Sequence, residues 1–307
     1  MMSVKEQLDT VGRALRRSWV EGQRVDRIAY VVSAVLFTSG LIHLIMLVIS
    51  GGTWIGPLSM RKPTTFGLSF GLTLASVTWA TAFLRLPNRT RTVVLGAFTV
   101  TCLVEVTLIT TQYWRGVPSH FNFETGVDSM ITGVLAAGGA VIVATVLVWT
   151  IAAFRAVADA RPSMKLALRF GFVTLLVAMG LGAAMIAMGT TAVRGGNPQL
   201  AYTTAGALKP AHFVAMHAIL VIPGMAWLLT FTRWPEETRL RIVQLGVAGY
   251  LLLTAVTIIE SVTHVSPLRA PMIGSVGSAI GVAAIIAAGV TALYGVTRRA
   301  LTVSNSK

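Results

Sequence analysis

The stretch "KPTTF" at 62–66, continued by "WATAFLRLPNRTR" at 79–91, returns in altered form as "KPAHF" at 209–213 and "WLLTFTRWPEETR" at 227–239. Lys62, Pro63 and Phe66 recur as Lys209, Pro210 and Phe213. Trp79, Phe83, Arg85, Pro87, Thr90 and Arg91 recur as Trp227, Phe231, Arg233, Pro235, Thr238 and Arg239, after a single inserted residue. Chance likeness between apolar helices matches Leu, Val and Ala, whereas these matches are Lys, Pro, Trp, Arg and Thr. The chain therefore reads as a tandem duplication.

Working outward, both copies lie among apolar runs of spanning length. A span needs about 20 apolar residues to cross roughly 30 Å of hydrocarbon. That rule predicts helices near 27–49, 63–85, 92–113, 129–153, 167–190, 211–232, 241–262 and 271–297. Four spans per copy give both halves the same orientation, related by a pseudo-twofold axis along the membrane normal. The expected fold is an all-α integral membrane bundle of eight transmembrane helices in a 4+4 parallel repeat. Residues 1–26 form a tail, 27–153 the first four-helix repeat, 154–297 the second, and 298–307 a closing tail. In the first tail Val4, Leu8, Val11, Leu15 and Trp19 recur at helical spacing among Lys5, Arg13, Arg16 and Arg17, the pattern of a surface-lying amphipathic helix.

Composition agrees, with 54% hydrophobic and 12% charged residues against roughly a quarter charged in soluble domains. The net charge of +14 sits in short connectors, so it marks topology and no nucleic-acid partner is expected. Of 25 Lys and Arg residues, six (Arg61, Lys62, Arg115, Arg194, Lys209 and Arg269) fall in one set of alternate connectors and the rest in the other. The positive-inside rule then puts both termini in the cytoplasm. A single cysteine, Cys102, excludes an intrachain disulfide and a CxxC motif.

All five histidines, His43, His120, His212, His217 and His264, fall in the outer half of the expected spans or in the outer connectors. At 1.5 Å per residue His43, His217 and Glu105 lie about 10, 9 and 12 Å deep. Glu260 lies nearer the outer edge. An ionisable group at lipid depth costs about 2.5–3.5 kcal/mol on insertion scales, so it normally faces protein or a cavity. Imidazole and carboxylate suit a transition metal, and two facing histidines suit haem iron. His43, Glu105 and His217 are therefore the candidate metal ligands, with His43, His217, His212 and His264 as candidate cofactor-binding residues. Glu105, Glu260, Arg115 and His120 are the candidate catalytic set. His212 and His217, five apart, stand about 140° apart around a helix and cannot act as an HxxxH pair. Zincin, P-loop and GxSxG motifs are missing.

The connector "QYWRGVPSHFNFETGVD" at 112–128 is the richest outer loop in polar and aromatic groups. There Arg115 and His120 can bind an anionic or quinone-like head group, with Tyr113, Trp114 and Phe121 anchoring at the interface. The Gly-rich stretch 191–210 is of lid length.

At "RGVPSHFNF" and "KPAHFVAMHAI" the chain resembles a group of uncharacterised bacterial polytopic membrane proteins with RGxxSHFN and AHFxxxHA segments. That resemblance implies a multi-pass protein of the bacterial cytoplasmic (inner) membrane. It draws attention to Glu105, Arg115, Ser119, His120, Phe121, Asn122, His212 and His217. A histidine that often precedes the 191–210 loop in that group is replaced here by "IAMGTTAV", with Met188 near the place. The plan is also similar to that of haem A synthase, but ExxHR-type elements are absent, so the likeness is architectural.

Three readings follow. The first is a membrane-embedded redox or haem/metal-binding protein with its site toward the outer face. The second is a proton-coupled transporter or exporter of a small or lipid-like molecule, exchanging protons at Glu105 and Glu260. The third is a non-catalytic scaffold or accessory subunit. Partners are the lipid bilayer and a quinone or lipid-like molecule.

Overall fold

The computed structural model describes residues 4–301 other than 53, 55, 57, 156, 158–159, 198–200, 202–205 and 267–268, with backbone only for 4–8 and 298–301. The described residues form an all-helical bundle without named strands: α1 (Val4–Val20), α2 (Arg24–Ser50), α3 (Arg61–Thr81), α4 (Asn88–Trp114), α5 (Gly126–Arg155), α6 (Pro162–Arg194), α7 (Lys209–Leu229), α8 (Glu236–Val262) and α9 (Met272–Leu301). Seven of these, α2 and α4 to α9, are long and apolar enough to cross a membrane. The chain is a multi-pass helical membrane protein.

α3 falls short on hydropathy for a physical reason. It is wrapped by α2, α4 and α7, so its hydroxyls need no lipid compatibility. Ser76 and Thr78 donate to the carbonyls of Leu72 and Leu74 four residues back, which satisfies them inside an apolar surround. α2 and α3 meet backbone to backbone, and a Cβ added at Gly67 would lie 2.7 Å from the Gly40 Cα. Such close seating is the usual substitute for a hydrophobic driving force between helices in lipid.

Polar contacts at the two ends show that successive long helices alternate in direction. At the basal end, Arg91 of α4 donates from Nε and Nη2 to Asp26 Oδ1 of α2 at 3.0 and 2.8 Å, and from Nη1 to the Thr81 carbonyl closing α3 at 2.6 Å. The Ser163 amide that opens α6 donates to Glu236 Oε1 of α8 at 2.8 Å, and Trp234 rests on Gly295 in the last turns of α9. At the distal end His43 of α2 meets Trp114 of α4, and Glu260 of α8 faces Gly274 of α9.

Helix ends follow turn chemistry. After α4, the Gly116 and Val117 amides return to the Tyr113 and Gln112 carbonyls. After α8, the His264 and Val265 amides return to Ser261 and Glu260 in the same way. This is the Schellman closure, which needs a left-handed residue, and Gly116 (φ 69°) and His264 (φ 57°) supply it. The core between the layers is aromatic at its centre, with Phe98 edge-on to the fully buried Trp149 at 5.1 Å. Trp79 of α3 meets Trp227 of α7 edge-on at 6.0 Å.

The expected boundaries shift in two informative places. α2 begins at Arg24, so Asp26 is a buried helix residue and not part of a tail. α6 begins at Pro162, five residues earlier than expected, because proline suits the first helical turn. α1 forms where the amphipathic spacing predicts it, with Arg13, Arg16 and Arg17 exposed and Trp19 6.4 Å from Tyr30; the side chains of Val4, Lys5 and Leu8 lie outside the described residues. Of the 191–210 stretch, 198–200 and 202–205 lie outside them as well.

Candidate functional site

The proposed metal triad does not assemble. His43 is buried, its Nδ1 paired with the Ser39 carbonyl at 2.8 Å and its Nε2 accepting from Trp114 Nε1 at 3.2 Å. Both ring nitrogens are occupied. Glu105, also buried, turns to α5, where its Oε1 lies 2.6 Å from where a Cβ on Gly138 would be. His217 bonds the Phe213 carbonyl of its own helix at 2.7 Å and stacks on the exposed Phe213 ring at 4.2 Å. Among the described residues, no group of three His, Cys, Asp or Glu is placed to hold a metal. Depth along a helix put these three at one level, but their azimuths send them to three different neighbours.

Other candidates also take structural posts. His212 bonds the Ala178 carbonyl at 2.7 Å and so ties α7 to α6. His264 is exposed and ends α8 in the left-handed turn described above, rather than lining a mouth. Arg115 is not free to greet a ligand, because its Nη1 donates to Asp128 Oδ1 at 2.8 Å and to Gln112 Oε1. Gln112, fully buried, donates in turn to Asp128 at 3.0 Å, and Thr125 donates to the second carboxylate oxygen at 2.6 Å. Glu260 is buried, and its Oε1 has no hydrogen-bond partner.

What the structure does bring together lies beneath the α4–α5 connector. Lys62 Nζ, in the first turn of α3, donates to Ser119 Oγ at 3.3 Å, and Ser119 Oγ sits 3.0 Å from His120 Nδ1. An ammonium only donates, so Ser119 Oγ accepts from Lys62, and its hydroxyl is shared with Nδ1 of the neighbouring ring. Phe66 and Phe121 flank the ring at 5.8 and 6.1 Å. Burial, then the ammonium charges of Lys62 and Lys209, push His120 down to about 3. At neutral pH this imidazole is uncharged.

The connector is held down by deliberate geometry. Phe121 adopts φ 60°, a left-handed conformation rare for an aromatic residue, and its ring fills the space that a side chain at Gly189 of α6 would need, 2.2 Å from the Cβ position. Strain of this kind persists where the surroundings over-determine it, often at functional sites. The neighbouring Asn122 is buried, with Oδ1 accepting from the Glu124 amide and Nδ2 unpartnered; Thr64 Oγ1, in the first turn of α3, is likewise buried and unpartnered.

The sequence reading counted Lys62 and Lys209 only as connector charges and did not single out Asp128. The available signal was the sequence match that pairs Lys62 with Lys209, both in the first turns of helices. Compared with protein-family models, with curated proteins and with solved structures, the chain matches none.

Proposed function

We propose that the protein recognises an anionic head group, carboxylate or phosphate, of a small or lipid-like molecule at its outer face, in a site between two repeats of an eight-span bundle. The observation that carries this reading is that Lys62 Nζ reaches Ser119 Oγ at 3.3 Å, beside the His120 ring, and that the charge of Lys209, its match in the second copy, acts on the same imidazole. Two helix starts, each adding the positive end of its dipole, two ammonium groups and the Ser119 hydroxyl make an anion-attracting seam. A haem or metal role finds no support in the ligand geometry.

Several features support the 4+4 plan. An offset of 148 residues carries the bounds of α3 onto α7 and of α4 onto α8. The same offset relates Trp79 to Trp227, which touch, and Gly116 to His264, which end equivalent helices in the same turn. Alternating directions support α3 as a further crossing. With the basal end rich in Lys and Arg, the positive-inside rule makes it cytoplasmic and the distal end outer, in a bacterial inner membrane.

The test is binding to the detergent-purified protein, with inorganic phosphate and short-chain phosphatidic acid as probes. Lys62→Gln or Lys209→Gln should each weaken binding at least tenfold. In nuclear magnetic resonance titrations the bound anion should raise the His120 pKa by offsetting both ammonium charges. Binding only of the lipid form would identify a lipid head group; unchanged affinity in both variants would refute the site.

A transport reading is favoured by one further observation, that Glu105 and Glu260 are buried without side-chain hydrogen bonds or ion pairs among the described residues. Such carboxyls suit proton exchange. Glu105→Gln should then abolish pH-dependent uptake of the same probe into proteoliposomes.

A further inference from the structure

At the basal end, far from the histidines, the seam between the starts of α2 and α4 opens as a groove of about 500 Å³, the scale of a small-molecule site. Its walls include Val25, Ile28, Gly96 and Val100, and a second, adjoining hollow on α2 shares Arg24 and Ile28 and adds Arg27. Beside it, a bond from Gln23 Nε2 to Asn88 Oδ1 at 2.9 Å ties the starts of the two helices together.

Charge at this seam is uncancelled. Asp26, the acid in the first turn of α2, turns inward to the buried Arg91 and the Gln23 amide. Arg24 and Arg27 are exposed, and their side chains make no hydrogen bond or ion pair with another described residue. Two guanidinium forks thus stand at the mouth of an apolar cleft on the lipid-facing side. Guanidinium groups match phosphate geometry, and basic pockets between membrane helices select anionic head groups.

We infer that this groove holds one anionic phospholipid, with its phosphate on Arg24 and Arg27 and an acyl chain along Ile28, Gly96 and Val100. The inference rests on the reading that α2 and α4 cross the bilayer, and it is independent of the distal anion site. Gly96 matters because a side chain there would enter the cleft: an added Cβ meets only Val25 Cγ2, at 4.0 Å.

Native mass spectrometry of the full chain, titrated with phosphatidylglycerol or phosphatidylcholine of equal chain length, tests this. The wild type should retain one phosphatidylglycerol under conditions that strip phosphatidylcholine. The double variant Arg24→Gln, Arg27→Gln should raise the dissociation constant roughly thirtyfold, about fivefold for each basic residue near an anionic lipid. Gly96→Leu should weaken retention with the charges intact, and Lys62→Gln with Lys209→Gln should leave it unchanged. Equal retention of both lipids by the wild type overturns the proposal whatever the variants do. Wild-type retention by the arginine double variant or by Gly96→Leu overturns it too, and loss in the lysine pair would move the lipid to the distal seam. Recovery of the wild type in the soluble fraction would remove the spanning reading, and this inference with it.

Discussion

α4 and α8 end in the same turn, with Gly116 and His264 in the same left-handed position, yet what surrounds the two turns differs. In the first half Gln112 lies between Arg115 and Asp128, every partner is engaged, and the following connector folds inward to seat Ser119 and Asn122. In the second half Glu260 stands at the position of Gln112 and faces Gly274 instead of an aspartate, with one oxygen unpartnered, and His264 lies exposed. The two turns are alike in backbone and differ in what surrounds them, with polar chemistry concentrated beside the first.

The difference can be broken most forcefully at Gln112. Gln112→Leu removes hydrogen bonds to two charged groups, each worth about 1.5–3 kcal/mol, so a loss of roughly 3–6 kcal/mol is expected. Reversible unfolding in micelles measures it; a loss below about 0.5 kcal/mol would make the two ends energetically alike.

A further effect should appear with pH. His120 is held near 3 in the folded protein against 6.5 when free, so between these values the unfolded chain binds the extra proton. Its contribution to stability is full above about 6.5 and is lost as pH falls toward 3. His120→Gln should flatten the slope in that window. If the slope is the same in wild type and variant, the imidazole is not held uncharged by its surroundings.

The smallest effect should come from Glu260→Gln, which places the first copy's residue type in the second copy. The amide replaces a carboxyl that already lacks a partner, so stability should change by less than about 1 kcal/mol. A loss matching that of Gln112→Leu would mean that Glu260 is engaged after all and that the comparison fails.

The helical membrane class and the placement of nearly every long helix were readable from hydropathy, because lipid imposes length and apolarity on each span. α3 was readable by length, although a helix shielded by its neighbours escapes the demand for apolarity and carries a weaker signal. The site was less accessible. Counting residues gives depth in a helix but not rotation, and rotation decides that Glu105 faces Gly138 while His217 lies against Phe213. His120 was among the candidates, but Lys62 was counted only as a connector charge, because its reach to Ser119 beside that ring joins segments 57 residues apart. Asp26 and Asp128 were passed over because one fell in a presumed tail and the other at a helix start where an acid is unremarkable.

The Trp79–Trp227 contact carries a consequence for the history of such a chain. Edge-on rings, here 83° apart, are not interchangeable: one offers its rim and the other its face. Two identical chains meeting at such a point would have no reason to prefer either arrangement, and the pair would exchange between two equivalent assignments of edge and face. Within one polypeptide each indole has its own neighbours, and that degeneracy is gone.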